Sequence, residues 1–457
     1  MQTDYLGNPV STTSDAALAA VDSFIDGFLS YEARAAEVIG AAETHPDSAL
    51  LNAYAATLWL LLEAPEAAAR AAPYLARARA TAGQAHAREQ AFVELVAAWS
   101  ADDIPGALAV ADTILAAWPR DLLVLKLRHY HDFNRGDFPA MLRAASASLP
   151  AAGDVAQLHG MLAFAYEQCH LLPEAEAAAR RALDLKRKEP WAQHALAHVM
   201  LTQGRIDEGV MFLEGVRDTW TGLNSFMDTH LWWHLALFYL SQGAFDAALA
   251  AYDDHCWAQE KAYSQDQVGA VSLLARLELS GVDVGDRWRD LADHLAIRAH
   301  DVVQPFLTLQ YLYGLARAGR PEANDLLGAV RQAALDAPDH VRETWREVAW
   351  PAAQGLVAHA RGDHAAALRG LRAALPRLIE VGGSHAQRDL FEQIALDAAI
   401  QAGRLSEAQQ ALELRRAFDP DGVPLNRALA DVYDRLALPA EAAKARARLA
   451  RRQAARA

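Results

Sequence analysis

Residues 169–209 read CHLLPEAEAAARRALDLKRKEPWAQHALAHVMLTQGRIDEG. Two apolar-periodic segments flank KRKEP, and each is preceded or followed by a short breaker. The breakers are centred on His170 and Gly204, 34 residues apart. The same step leads back to Gly136 and Asp102. Pro105, Pro139 and Pro173 keep it, and so do Ala107, Met141, Ala175 and Gly209. That last position is where a small residue usually lets a second helix approach the first. Each unit predicts a helix-turn-helix that cannot bury its apolar face alone, so neighbouring units must stack.

The pattern continues beyond this stretch. Gly243 and Ala248 lie 39 residues after Gly204 and Gly209, and the added residues fall in DTWTGLNSFMD, which reads as a polar loop. RGDHAAALRGLRAAL and AGRLSEAQQALEL repeat the turn-then-small-residue logic, with Gly362 and Gly403 41 apart. A 34-residue step is the length of a tetratricopeptide repeat. The predicted fold is all-α, a tetratricopeptide-like α-solenoid of stacked helix-turn-helix repeats. It is read as one solenoid over 1–457, with capping helices at 1–87 and regular repeats at 88–263. An irregular helical section follows at 264–339, then C-terminal repeats and a cap at 340–457.

Composition agrees with this reading. Hydrophobic residues make up 53% of the 457, alanine is abundant, and β-type alternation is scarce, so strands are not expected. The net charge of −15 argues against a general nucleic-acid or anionic-membrane binder. Only two cysteines occur, Cys169 and Cys256, which suits a reducing, cytoplasmic location and excludes a disulfide scaffold. The opening MQTDYLGNPVSTTSDAA lacks the basic and apolar regions of a signal peptide. The most apolar run, ALLNAYAATLWLLLEAPEAA, is broken by acids and Pro65 and reads as a buried helix. The basic end, KARARLARRQAARA, reads as a solvated last helix.

Two histidine pairs carry the chemistry. His194 with His198, and His230 with His234, each have spacing i, i+4, which puts both rings on one helical face. Imidazole is the commonest metal ligand and the usual neutral-pH acid or base. Counted back from the turns, all four fall where tetratricopeptide units face their concave groove. Glu167, Gln168, Trp191 and Trp233 do as well. Glu167 would orient an imidazole or act as a base, and the tryptophans serve either packing or ligand stacking.

A second polar element is GGSHAQRDLFEQ, residues 382–393. Its glycines permit a tight turn, and Ser384 is placed to cap the next helix. Gln387, Arg388 and Asp389 are candidate ligand-binding residues, Arg388 through its planar fork. The competing reading makes Arg388 and Asp389 structural pairs. His129, His131, His159 and His255 read as structural. There is no phosphate-cradling glycine loop, no GxSxG and no Cys-rich zinc motif. Nor is there an HExxH, since Ala195 and Leu231 follow His194 and His230.

The stretch from His159 to Tyr252, with EPWAQHALAHVMLTQGRIDEGVMFL and THLWWHLALFYLSQGAFDAALAAYD, resembles the tetratricopeptide repeat protein 38 family, in a bacterial member. GVDVGDRWRDL, residues 281–291, and GGSHAQRDLFEQ agree in order along the chain. The resemblance implies a helical-repeat protein whose pattern includes both histidine pairs and the Gly382–Asp389 element. It marks His385 as a variable position and supplies no reaction.

The expected function is a binding protein that holds a peptide or small polar molecule in a His/Glu/Trp-lined concave groove. The second reading is an enzyme, a hydrolase or lyase. There His194, His198, His230 and His234 bind zinc or another divalent metal, or share acid–base work, with Glu167 as base. A peptide binder predicts exposed, independently titrating rings. An enzyme predicts a narrow pocket with the rings within hydrogen-bond or metal-ligand reach and strongly perturbed titration.

Overall fold

The computed structural model describes residues 2–454, and they form an all-α, tetratricopeptide-like solenoid of stacked helix-turn-helix repeats. The regularity comes from one turn. Asp102, Gly136, His170 and Gly204, the 34-residue series, all have positive φ, at 59, 70, 57 and 69°. After each, the next N–H reaches the carbonyl five residues back. Asp103 bonds Ala98, Asp137 bonds Asp132, Leu171 bonds Tyr166 and Arg205 bonds Met200, each at 2.9 Å. This is a Schellman-type closure, which satisfies carbonyls that a helix end leaves open.

The same closure recurs where the spacing drifts. Gly243, Gly281, Gly319 and Gly362 also have positive φ, at intervals of 38, 38 and 43 residues. The section over 264–339 is therefore irregular in helix length and keeps the turn. The small residue after the turn is buried in the regular pairs: Ala107, Ala175, Ala248, Ala367 and Ala408 are all 0–1% exposed. At Gly209 a Cβ would overlap the ring of Phe238, so the two helices approach through the missing side chain.

Two short strands, Gln2–Thr3 and Pro9–Val10, pair antiparallel and correct the expectation of none. They close on the Asp4 carboxylate, which accepts from the Leu6 and Asn8 N–H groups at 3.1 and 2.8 Å. So short a hairpin leaves no alternating pattern for sequence to show.

The chain forms two compact units. One runs up to Leu196 and includes Thr219–Met227 and Pro338–His340. Its core stacks Phe24 on Tyr54, with Phe92 edge-on to Tyr54, beside a buried Arg88–Asp121 ion pair of 2.8 Å. The expected polar loop DTWTGLNSFMD is well anchored in this unit over Thr219–Met227. Ala33 N–H bonds Gly222 O at 2.9 Å, and Trp220 Nε1–H bonds Gln193 Oε1 at 2.9 Å. The residues from Ser225 onward already belong to the helix Ser225–Gln242.

The other unit comprises Ala197–Asp218, Asp228–Ala337 and the chain from Val341 onward. Trp233, Leu274, Tyr311, Trp345 and Phe391 lie in its core. Arg276 is buried there and holds this core to the 382–393 element, donating to Ala386 O at 2.7 Å. Burial lowers its pKa to about 10. The basic last helix, Pro439–Ala454, is tied down by Arg452, which bonds Asp207 at 2.5 and 2.8 Å. Among the described residues, no helix is long and apolar enough to cross a membrane.

The turn makes a signed prediction. Ala437 has φ 57° in the same closure, with Leu438 N–H on Tyr433 O at 2.9 Å. Ala437→Gly relieves the left-handed strain and is expected to raise stability by about 0.5–1 kcal/mol. Gly204→Ala adds that strain and drives a Cβ into the carbonyl of Phe418, with an expected loss above about 1 kcal/mol. Urea midpoints of the two variants should move in opposite directions, and a shared direction contradicts the turn's role.

Candidate functional site

Within the second unit, His198 comes from the helix Pro190–Thr202, and His230 and His234 come from Ser225–Gln242. His385 opens the helix His385–Gln401. The four rings meet. The His198 and His234 centroids are 4.5 Å apart, and those of His230 and His234 are 4.8 Å apart at 87°. His198 Nδ1 lies 3.4 Å from His385 Nε2. One ring nitrogen from each of His198, His230 and His234 lies within 4.8 Å of the others.

These rings are not groove-surface groups. His198 and His234 are 0% exposed and His230 is 8%. Trp233 stacks on His230 with ring planes 7° apart and meets His234 edge-on. Arg276 lies over the Trp233 ring, 5.4 Å from its centroid. Burial, with a smaller contribution from His198, pushes the pKa of His230 down to about 3. Its ring is therefore neutral at pH 7, with a lone pair available. The three ring nitrogens converge in a buried site, and such a set could hold a zinc-type ion.

The 382–393 element presents His385. Gly382 and Gly383 both have positive φ, and a Cβ on Gly383 would lie 2.7 Å from the Phe306 ring. Ser384 Oγ accepts the Gln387 N–H at 3.2 Å, while Gln387 Oε1 accepts the Ser384 N–H at 2.8 Å. That is a complete capping box. Arg388 donates to the carbonyls of Gly382 and Gly383. Asp389 is paired with Arg415 at 2.6 Å. Burial would raise Asp389, but Arg415 overrides it and holds the carboxyl at about 2. Of the residues expected to bind a ligand, Gln387 and Arg388 hold the turn, and Asp389 pairs with Arg415. The residue of this element that reaches the imidazoles is His385, which the resemblance had set aside as variable.

The first unit holds Glu167, Gln168, Trp191 and His194. His194 stacks on Trp191 with centroids 4.4 Å apart, and Phe164 is 5.2 Å from it. Trp191 in turn stacks on Tyr31 at 5.1 Å. Glu167 is fully buried and accepts from Gln168 Nε2 at 2.6 Å. Two charged groups here escaped sequence reasoning. Lys126 donates to Phe28 O and Leu29 O at 2.8 and 3.1 Å, and its Nζ sits 3.3 Å from the Tyr31 centroid. Burial pushes its pKa well down, opposed by Glu189. Glu189 is itself raised to about 7, by burial first. The available signals were a single lysine inside the apolar run LLVLKL and an acid directly before Pro190.

The four histidines read as structural, His129, His131, His159 and His255, lie against their neighbours. His255 stacks on Trp232 at 3.5 Å, and His159 Nε2 bonds Gly153 O at 2.9 Å. His129 and His131 are buried on the helix Leu122–Asn134.

No protein-family model matches the chain. Similar solved structures include a human IFIT1 dimer with PPP-AAAA, at 12% identity over 96% of this chain and 95% of that one, with TM-score 0.41. Another is the P58(IPK) TPR domain, at 12% identity over 79% of this chain and 92% of that one, with TM-score 0.21. A third is Naa15/Naa10 bound to HypK-THB, at 13% identity over 95% of this chain and 68% of that one, with TM-score 0.25. At these values the likeness says nothing about a ligand of this chain.

Burial sets a pH dependence in the first unit. It lowers His129 and His131 each to about 3, against about 6.5 in an unfolded chain. Below about pH 6.5 the unfolded chain takes up protons that the folded one does not, so stability falls as pH drops toward 3. His131→Phe should reduce that slope by up to about 1.4 kcal/mol per pH unit. Urea unfolding at pH 7.5, 6, 5 and 4.5 reads it, and an unchanged slope contradicts the neutral buried ring.

Proposed function

We propose that this chain is a helical-repeat protein that binds a small polar molecule at the imidazole cluster through a divalent transition-metal ion. His198, His230 and His234 are the protein ligands, and the arrangement is that of a hydrolase or lyase. The convergence of three buried ring nitrogens within 4.8 Å carries this reading. It favours the enzymatic reading of the histidine pairs over an open peptide groove, which needs exposed rings. Neutral imidazoles suit a zinc-class ion, and a three-ligand set leaves a coordination position for water or substrate. An ion there would lower the pKa of bound water and polarise a carbonyl or phosphoryl oxygen. His385, 3.4 Å from His198, is placed to accept or return a proton beside that position. Membership of the tetratricopeptide repeat protein 38 family is part of this proposal, supported by the order of its segments along the chain.

Metal content tests it. Untagged protein and a His230→Ala/His234→Ala variant are to be compared by elemental mass spectrometry, with circular dichroism as the check on folding. The wild type should carry about one equivalent more of zinc or a related ion than the variant. Equal metal content in two folded proteins contradicts the proposal.

A further inference from the structure

A second group of metal-type ligands lies elsewhere in the second unit. His359 sits near the end of the helix Trp350–Ala360, and His364 opens His364–Ala374. The turn between them carries Gly362 at φ 80°, and Asp363 caps the second helix by accepting Ala366 N–H at 3.0 Å. Asp397 faces them from His385–Gln401. One ring nitrogen from each histidine and one Asp397 oxygen all lie within 4.8 Å of one another. His385 and Asp397 are separated by 12 residues on their helix, about 18 Å along the axis. The group is therefore separate from the imidazole cluster.

We propose that His359, His364 and Asp397 form a second divalent transition-metal site, of the two-histidine, one-carboxylate type. Two histidines and a carboxylate, with the remaining positions open to water, are a recognised ligand set for such ions. The surroundings orient the ligands as metal sites require. Tyr313 Oη lies 3.2 Å from His359 Nδ1, and Gln401 Nε2 donates to Asp397 Oδ1 at 3.2 Å. His364 Nδ1 is buried and has no hydrogen-bond partner among the described residues. The Asp397 side chain is 28% exposed, which leaves an entry path for a hydrated ion.

The proton count closes. Without metal, His359 Nε2–H donates to Asp397 Oδ2 at 2.8 Å, and Nδ1 accepts from Tyr313 Oη–H. With metal, the Nε2 lone pair binds the ion and the ring proton resides on Nδ1. That Nδ1–H then faces the Tyr313 oxygen at the same 3.2 Å contact. The ion replaces the His359–Asp397 hydrogen bond and brings in His364, whose ring stands 5.7 Å from that of His359 at 74°.

The test uses the full chain stripped of metal by a chelator and titrated with zinc or cobalt(II), read by equilibrium dialysis and cobalt absorption. Variants are His364→Ala, Asp397→Asn and His230→Ala/His234→Ala. His364→Ala leaves the His359–Asp397 hydrogen bond intact and should fold. Either of the first two should lose about one equivalent of bound metal, or weaken it by about 100-fold, while the double variant keeps that equivalent. If His364→Ala and Asp397→Asn bind as much metal as the wild type, the second site is overturned, whatever the double variant does. If only the double variant keeps full binding, the second site stands and the cluster's metal reading fails. If the double variant does not fold, loss of one equivalent in His364→Ala alone still decides the point.

Discussion

The structure depends on a residue held in the left-handed region at the end of each first helix. That conformation lets the following N–H fold back on the helix it leaves, and so sets the angle at which the next helix departs. Repetition of this closure stacks the helix pairs, because each pair alone leaves an apolar face uncovered. Asp102 and His170 also occupy the position, at φ 59 and 57°. The fold therefore tolerates strain at single turns, provided the small residue after the turn lets the second helix settle.

That spacing has a chemical consequence. Helices of fixed phase bring residues at like heights together, and here they bring imidazoles. Burying a ring that carries charge is costly, so His230 remains neutral. The aromatic layer of Trp233 against His230 and His234 shields the group from water.

Much of this was legible in residue order. The step that links Asp102, Gly136, His170 and Gly204 marks the turns directly, and the i, i+4 spacing of His230 and His234 marks one face. Other features left no trace of that kind. The turn at Gly319 was hidden because helix length changed around it and Asn324, not a small residue, follows at the expected place. The hairpin at Asp4 is too short for a pattern. The placement of His385 beside His198 spans 187 residues and follows from packing alone. The glycine turn and the Ser384 cap were readable in this element, whereas Arg415 as the partner of Asp389 became visible only in three dimensions. Glu189 and Lys126 acquire their perturbed protonation from burial, which a local stretch of residues does not reveal.

The central claim is that three buried imidazoles hold one ion. Anomalous diffraction at the zinc edge, from crystals of the zinc-loaded full chain, tests it most directly. A peak within bonding distance of His198, His230 and His234 is the predicted result. Well-ordered rings with no peak between them, in crystals whose zinc is located elsewhere, would contradict it.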